Sequence, residues 1–508
     1  MNQLKAGAIL SYVSLGLSNV IGLIYTPFML RMMGQNEYGL YSLVASVVAY
    51  LTVLDFGFGN AIIRYTAKFR AEGKVKEQYS MFGMFVLLYS AIGVFAFIAG
   101  LGLYFNVDNL FGKTMSPEEL DKAQLMMLLL IFNLSVTFPL SIFGSIITAY
   151  ENFIFQKVVN IIRIILNPIV MIVMLLIGYR AVGMVVITTA FNIATLLINW
   201  WYCKRKLKIK VHFGDYDWLL LKEISGFSFF IFMKLILDKI YWSTGQFVVG
   251  VYAGTVAVAI YAIAMQVKTY YSAFSCALTS VFLPKLTAMI ANNISSQEIS
   301  DLFIRIGRLQ CHIVCLIMAG FVLFGQSFIN LWAGKDYCES YTISMIVMIP
   351  FTIPLIQTLG HPLIQAANMQ KTQFYVYLVM AFITLGLSIP LAKLYGGIGA
   401  AISVSVAILV GEVFIMNWFY YKKMKIDIVC FWKEMSKIIL PIFSFSLFFY
   451  FVLLNLAEAT ALSLIYSIML YLVLYIPFIY FTGFNKYEKS IIQAIIGRFR
   501  YIPLSLFR

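Results

Sequence analysis

Charge is scarce in this chain: Asp, Glu, Lys and Arg together make up 12% of its 508 residues, against about a quarter in soluble domains. With 62% hydrophobic residues and a mean hydropathy of +0.89, the composition excludes an ordinary soluble protein. It predicts an all-α polytopic membrane protein. No polar stretch is long enough for a soluble domain, so whatever the protein does happens in or at the membrane. No glycine-rich loop ending in lysine is present to cradle a phosphate, which excludes an ATPase of its own. No nucleophile stands beside a base either, so no catalytic residue is assigned and an enzyme is not expected. Cysteine is sparse, at Cys203, Cys276, Cys311, Cys315, Cys338 and Cys430. Only Cys311 and Cys315, in "CHIVC", share a helical face, and two thiols without further ligands make a poor zinc site. Neither a metal nor a cofactor is expected.

Negative charge is the rarer sign, 22 residues against 37 positive, for a net charge of +15. In a soluble chain that excess would suggest nucleic acid. In a polytopic one basic loops are mainly topology signals, so nucleic acid is not an expected partner.

What the chain has instead is apolar runs, each near the roughly 20 residues that cross a hydrocarbon core of about 30 Å. Fourteen candidate helices lie near 6–30, 39–63, 80–104, 123–148, 158–178, 182–203, 225–251, 257–283, 308–332, 342–366, 374–394, 398–421, 437–456 and 462–483. The first reads as a retained helix, since it runs on for about 25 residues without a small-residue cleavage site. With the N-terminus inside, twenty-seven lysines and arginines fall on inner segments and six on outer ones. That alternation predicts both ends on the cytoplasmic side.

The chain also repeats itself. "YGLYSL" (38–43) aligns with "VAIYAI" (258–263), "TAYENF" (148–153) with "QAANMQ" (365–370), and "AVGMVV" (181–186) with "GIGAAI" (397–402), at offsets of 220, 217 and 216. "LINWWYCKRK" and "FIMNWFYYKK" close the sixth and twelfth runs alike. An even shift of spans keeps membrane orientation, so two parallel six-helix repeats around a central cavity are expected. The boundaries are a lobe over 1–203, a basic linker over 204–224, a second lobe over 225–421, an added helix pair over 437–483 and a basic tail over 484–508.

Polar residues inside the runs mark the candidate site. In the eighth run Tyr261, Lys268, Tyr271, Ser272, Ser275 and Thr279 fall within about a 100° arc, a stripe that water would explain. In the seventh, Lys234, Asp238 and Tyr241 share a face with Lys239 a quarter turn away. An internal Lys234–Asp238 pair and a cavity role both fit. Charges at mid-helix cost about 2.5–3.5 kcal/mol each on the insertion scale, so Lys234, Asp238, Lys239 and Lys268 must face each other, water or an anionic guest. The small-residue stripe of the first run (Gly7, Ser11, Ser14, Ser18, Gly22, Tyr25) suits close helix packing as well as a polar path. In the tenth run His361 reads as a hydrogen-bonded partner rather than a ligand. Arg163 lies near enough to the inner surface to snorkel.

Asp55 stands just before two glycines that break the second run. It either caps the short segment leading to Arg64 or serves the cavity, as an ion site or as partner to a cation such as Arg64. The aligned position in the second half is Ser275.

"TPFMLRMMGQNEYGLYSL", "DFGFGNAIIRY", "GTVAVAIYAIA", "VFLPKLT" and "GGIGAAIS" resemble the polysaccharide transport branch of the multidrug/oligosaccharidyl-lipid/polysaccharide exporter superfamily. The resemblance implies a flippase for undecaprenyl-pyrophosphate-linked oligosaccharide, such as an O-antigen or capsule repeat unit, in the bacterial inner membrane. It implies alternating access driven by an H+ or Na+ gradient, with Asp55, Asp238 and Glu412 as coupling candidates. Its partners would be the lipid-linked oligosaccharide, membrane lipids and polysaccharide assembly proteins, with the last helix pair offering a groove for the lipid tail. Three alternatives stand beside it: a lipid II flippase, a multidrug or cation antiporter of the same superfamily, and a membrane polysaccharide polymerase or ligase. The antiporter would want an acidic cavity, and the polymerase or ligase a large external loop.

Overall fold

The computed structural model describes residues 3–214, 218–279, 282–292, 294–453 and 460–490. Residues 215–217 of the expected linker and 491–508 of the expected tail lie outside them, as does the side chain of Thr279. Helices are the sole regular secondary structure among the described residues. That outcome follows from the solvent: in hydrocarbon every backbone N–H and C=O must find a partner, and a helix supplies both from within one segment.

In chain order the helices are α1 (Gln3–Leu51), α2 (Phe58–Ala71), α3 (Val75–Phe105), α4 (Val107–Phe111), α5 (Pro117–Ala149), α6 (Phe153–Ile177) and α7 (Ala181–Arg205). There follow α8 (Trp218–Thr279), α9 (Leu283–Ala291), α10 (Ser296–Trp332), α11 (Glu339–Ile356), α12 (Gly360–Ala366) and α13 (Gln370–Ile408). The last are α14 (Met416–Lys422), α15 (Ile428–Leu453) and α16 (Ala461–Thr482). The start of α5 shows how local sequence sets a boundary. Ser116 accepts from the Glu119 amide while the Glu119 carboxylate accepts from the Ser116 amide, and Pro117 takes the first helical position.

Eleven helical stretches among the described residues are long and apolar enough to cross a bilayer. Three are far longer than one crossing needs: Ile9–Ala71 with 63 residues, Phe232–Ala273 with 42 and Gln370–Lys422 with 53. Each bends at a glycine of positive φ, at Gly34 (78°), Gly254 (81°) and Gly396 (54°). A side chain there would be strained, so glycine is the residue that lets one helix turn into the next. Runs one and two, seven and eight, and eleven and twelve flank these bends. The fourteen apolar runs therefore occupy eleven helical stretches.

The repeat is written into the backbone as well. Positive φ recurs at Gly34 and Gly254, at Glu151 and Asn368, at Gly178 and Gly396, and at Lys208 and Lys425. These pairs lie 220, 217, 218 and 217 residues apart, the spacing of the sequence matches. Positive φ at Glu151, Asn368, Lys208 and Lys425 costs energy at each site, so its recurrence marks turns that both halves need rather than local accident.

The chain divides into two compact units, one taking the described residues up to Met265 together with Phe374–Ala407, the other Gln266–Gln373 together with Ile408 onward. In the first, Phe58 packs against Phe85 and Tyr89, with ring centroids 5.8 and 6.2 Å apart. Polar bonds tie α1 to α8 in the same unit: Gln246 donates to the Ser42 carbonyl at 2.7 Å, and the Tyr50 and Thr244 hydroxyls lie 3.0 Å apart. Between membrane helices, bonds of this kind stand in for the hydrophobic drive that lipid removes. In the second unit Phe303 meets Phe431 at 5.2 Å and Tyr420 at 5.5 Å, and Tyr471 meets Phe449 at 5.2 Å.

Candidate functional site

The stretch "DFGFG" ends α1 in a single 3-10 turn, Thr52–Asp55, and then breaks it: Phe56 (φ 52°) and Gly57 (φ 70°) are both left-handed before α2 begins. The Phe56 ring meets those of Phe58 at 5.7 Å and Phe232 at 4.3 Å. Asp55 is half-buried at this corner. The Tyr89 hydroxyl donates to its carboxylate at 2.8 Å, and the Gly57 amide faces the same group. Such charge-assisted bonds are the strong ones, and they offset part of the cost of a carboxylate among apolar helices. Arg64 sits two turns on, exposed on α2, with its guanidinium 5.9 Å from the Tyr65 ring.

The seventh-run residues lie on α8 in the same unit. Lys234 is exposed, with its ammonium 6.0 Å from the centre of the Tyr377 ring, within reach of a cation–π attraction. Asp238 and Lys239 are half-buried and Tyr241 is buried.

The eighth-run stripe does not face one environment. Tyr261 is buried with its phenol against Gly245, where any Cβ would collide with it. Tyr271 is buried, its hydroxyl 2.8 Å from that of Thr352 and donating to the Val314 carbonyl at 3.4 Å. Ser275 is 0% exposed; its hydroxyl lies 3.0 Å from Gln310 Oε1, 2.9 Å from the Thr358 hydroxyl and 2.8 Å from the Leu355 carbonyl, while Gln310 Nε2 donates back to the Ser275 carbonyl at 3.0 Å. Lys268 and Ser272 are half-buried. The Lys268 ammonium lies 4.9 Å over the Phe351 ring, and Ser272 donates to the Thr269 carbonyl of its own helix at 2.9 Å. An arc of 100° is wide enough for one edge to meet neighbouring helices while the other stays open. The stripe thus splits into a packed set, Tyr261, Tyr271 and Ser275, and a more accessible pair, Lys268 and Ser272.

Glu412 is buried in a π-helical segment, Leu409–Ile415, a feature frequent at functional positions. One turn on, Asn417 accepts from Gln357 Nε2 at 2.8 Å and from the Trp432 indole at 2.9 Å. His361 is hydrogen-bonded to Gln373 at 2.7 Å, a partner contact of the kind its sequence setting suggests.

Three features escaped the sequence reading. Glu37 accepts from Lys122 at 2.7 Å and from the Ala181 amide at 3.2 Å, a buried carboxylate serving a helix start. Arg308 is bound to Glu488 and Glu434 inside the second unit. In that unit a cavity of about 520 Å³, almost wholly apolar, is bounded by α10, α11 and α15 through residues such as Cys315, Val322, Ile353, Ile442 and Leu447. The partners of each lie tens to hundreds of residues apart, where periodicity along one helix carries no signal.

Comparison with known proteins gives this geometry a context. Residues 4–290 match the family described as polysaccharide biosynthesis protein. A Shigella flexneri protein named as an O-antigen transporter is 22% identical over 401 residues, which is 77% of this chain and 92% of the relative. Among solved structures, the lipid II flippase MurJ in an inward closed conformation superposes with a TM-score of 0.70 at 18% identity, covering 93% of this chain and 97% of the flippase. An inward-facing multidrug resistance MATE family transporter of the MOP superfamily does so with a TM-score of 0.63 at 14% identity, covering 84% and 99%. At these identities the solved structures speak for the fold, which is the transporter fold that the helix pattern predicts. The sequence match takes in more than half of the chain, and this multi-pass membrane protein belongs to the polysaccharide biosynthesis protein family.

Proposed function

We propose that the protein is a flippase that moves undecaprenyl-pyrophosphate-linked oligosaccharide repeat units from the inner to the outer leaflet of the bacterial cytoplasmic membrane by alternating access, for O-antigen or capsule assembly. The observation that carries this reading is the charge balance within one apolar stretch of a member of this family: Phe232–Ala273 holds Lys234, Lys239 and Lys268 against a single carboxylate, Asp238. A pyrophosphate headgroup is anionic and needs cations to leave water. Lys239, Lys234 and Arg64 of the first unit and Lys268 of the second are each candidates to meet it, with Ser272 offering a hydroxyl, while Tyr261, Tyr271 and Ser275 hold α8, which carries the three lysines. The similarity to a relative named as an O-antigen transporter supports the same substrate class. The apolar cavity of the second unit suits a polyprenyl chain. Asp55, Asp238 and Glu412 are the carboxylates through which an H+ or Na+ gradient would act, and both ends of the chain would lie in the cytoplasm.

Lys268→Ala is expected to abolish export of surface polysaccharide while the protein stays at its normal level in the membrane. Normal polysaccharide in that strain overturns the cationic path. The likeness to MurJ favours one second reading, transport of lipid II. Rescue of growth in a strain depleted of its own lipid II flippase selects that reading, and restoration of polysaccharide export without such rescue selects the first.

A further inference from the structure

On α10 and α15, two of the three helices that bound the apolar cavity, lies the buried charge knot. Arg308 is 3% exposed and Glu488 is also 3% exposed. The guanidinium grips the carboxylate with two bonds, Nε to Oε1 at 2.7 Å and a terminal nitrogen to Oε2 at 2.9 Å. Its remaining donors reach the Gly483 carbonyl at 2.9 Å, Glu434 Oε2 at 3.0 Å and the Glu434 carbonyl at 3.2 Å. Glu434 in turn pairs with Lys437. The Glu488 carboxylate also accepts from the Asn485 amide at 2.8 Å, and His312 Nε2 lies 3.4 Å from it. Burial alone would raise the pKa of Glu488; the bonds from His312, Arg308 and the Asn485 amide overcome it and hold the group down at about 2.

Two ring contacts extend the knot along α10. The Arg305 guanidinium lies 4.7 Å over the Tyr487 ring, and His312 meets Phe484 edge-on at 4.5 Å. Residues 305, 308 and 312 are spaced for one helical face, and each holds a residue of the segment that follows α16. Continuing along that face, Cys315 lines the cavity. On α15 the order is the same: Glu434 sits in the knot, and Ile439 and Ile442 line the cavity one and two turns further.

From this placement we propose that the segment Gly483–Ser490 is a clasp: Glu488 fastens the end of α16 and the start of α15 to α10, and so positions the walls of the apolar cavity. The proposal rests on the cavity's being the chain-binding groove of the flippase reading, but its structural claim is separate. A buried ion pair adds little net stability, yet breaking it by removing one partner is costly, because the other charge is left uncompensated. Glu488 is therefore a positioning residue. Its loss would be felt as movement of α15 against α10, with the clasp residues themselves outside the groove.

The test reads the groove directly. In a variant that keeps Cys315 as its single cysteine, reconstituted in liposomes, the rate of Cys315 labelling by N-ethylmaleimide reports opening between α10 and α15. Glu488→Gln is expected to raise that rate about tenfold, and Arg305→Ala, which removes an exposed contact, about twofold, since labelling follows the population of locally opened molecules. A wild-type labelling rate in folded Glu488→Gln protein overturns the clasp. Should Glu488→Gln fail to reach the membrane, the double variant Phe484→Ala, Tyr487→Ala decides by the same readout: faster labelling supports the clasp and an unchanged rate overturns it. A diazirine-bearing polyprenyl phosphate separates the two claims. Its failure to label α10 or α15 in the wild-type protein, with Cys315 still exposed by Glu488→Gln, removes the groove reading and supports the clasp.

Discussion

Two residues occupy aligned positions in the two halves of the chain, Asp55 at the break after α1 and Ser275 near the end of α8, and they are bonded in different chemistry. At the first, Asp55 receives the Tyr89 hydroxyl at 2.8 Å; at the second, Ser275 meets Gln310 at 3.0 Å and Thr358 at 2.9 Å. The two residues are 220 apart and their partners Tyr89 and Gln310 are 221 apart, so the repeat preserves the pairing of helices while changing what is paired. The second set of partners is neutral. The first includes a carboxyl group. In the second half hydroxyl and amide groups fasten the aligned position without a carboxylate, and what the carboxylate of the first half adds is a matter for variants of the two positions.

Making the two positions alike is the strongest test of that contrast. Ser275→Asp places a carboxylate at a position that is 0% exposed, and about 2.5–3.5 kcal/mol of insertion or folding stability is expected to be lost. The amount of protein extracted from membranes, and its thermal unfolding in detergent, measure it. Full tolerance would mean that either position accepts a charge. Removing the partner at the first position comes next: Tyr89→Phe deletes a hydrogen bond to a charged group and is expected to cost about 1.5–3 kcal/mol, read as a lower Tm.

Asp55→Asn then isolates the charge. Asparagine caps as well as aspartate and still accepts from Tyr89, so stability should hold. Export is expected to fall about tenfold, which corresponds to about 1.4 kcal/mol, with substrate binding retained. Unchanged export across a range of pH and sodium would leave Asp55 as a cap alone. The smallest effect is at the neutral position, where Ser275→Ala removes one hydroxyl from a shared network. A loss of about 1 kcal/mol is expected, within the range of measured interhelical hydrogen bonds in membranes, and the pH dependence of export should not move.

Much of the fold was legible because membrane helices are local objects. Each apolar run declares its own length, and glycine, charge and the pairs "TAYENF" and "QAANMQ" mark where runs end. That Gly34, Gly254 and Gly396 turn one helix directly into the next was not legible, since a glycine that makes such a kink and one that begins a loop look the same in sequence. The site was legible in residue type and only partly in direction. Lys268 and Ser272 keep some exposure, whereas Tyr261, Tyr271 and Ser275, predicted on the same stripe, turn into helix contacts. A hundred-degree arc on a helical wheel does not say where the next helix will press. Arg308 is the sharpest instance: a cation at the first residue of the ninth apolar run, it is buried because Glu488, 180 residues later, returns to it.

The amino-acid sequence by itself determined the class of the protein, the apolar runs, the bias of basic residues and the repeat. Each of these follows from hydropathy and spacing along a short piece of chain that satisfies its own backbone bonds. Only the tertiary structure decided that Asp55 answers to Tyr89, that Ser275 answers to Gln310, and that the segment after α16 returns to α10. Those bonds join residues on different helices, and their geometry depends on how the helices rotate and bend against one another, which no single helix specifies.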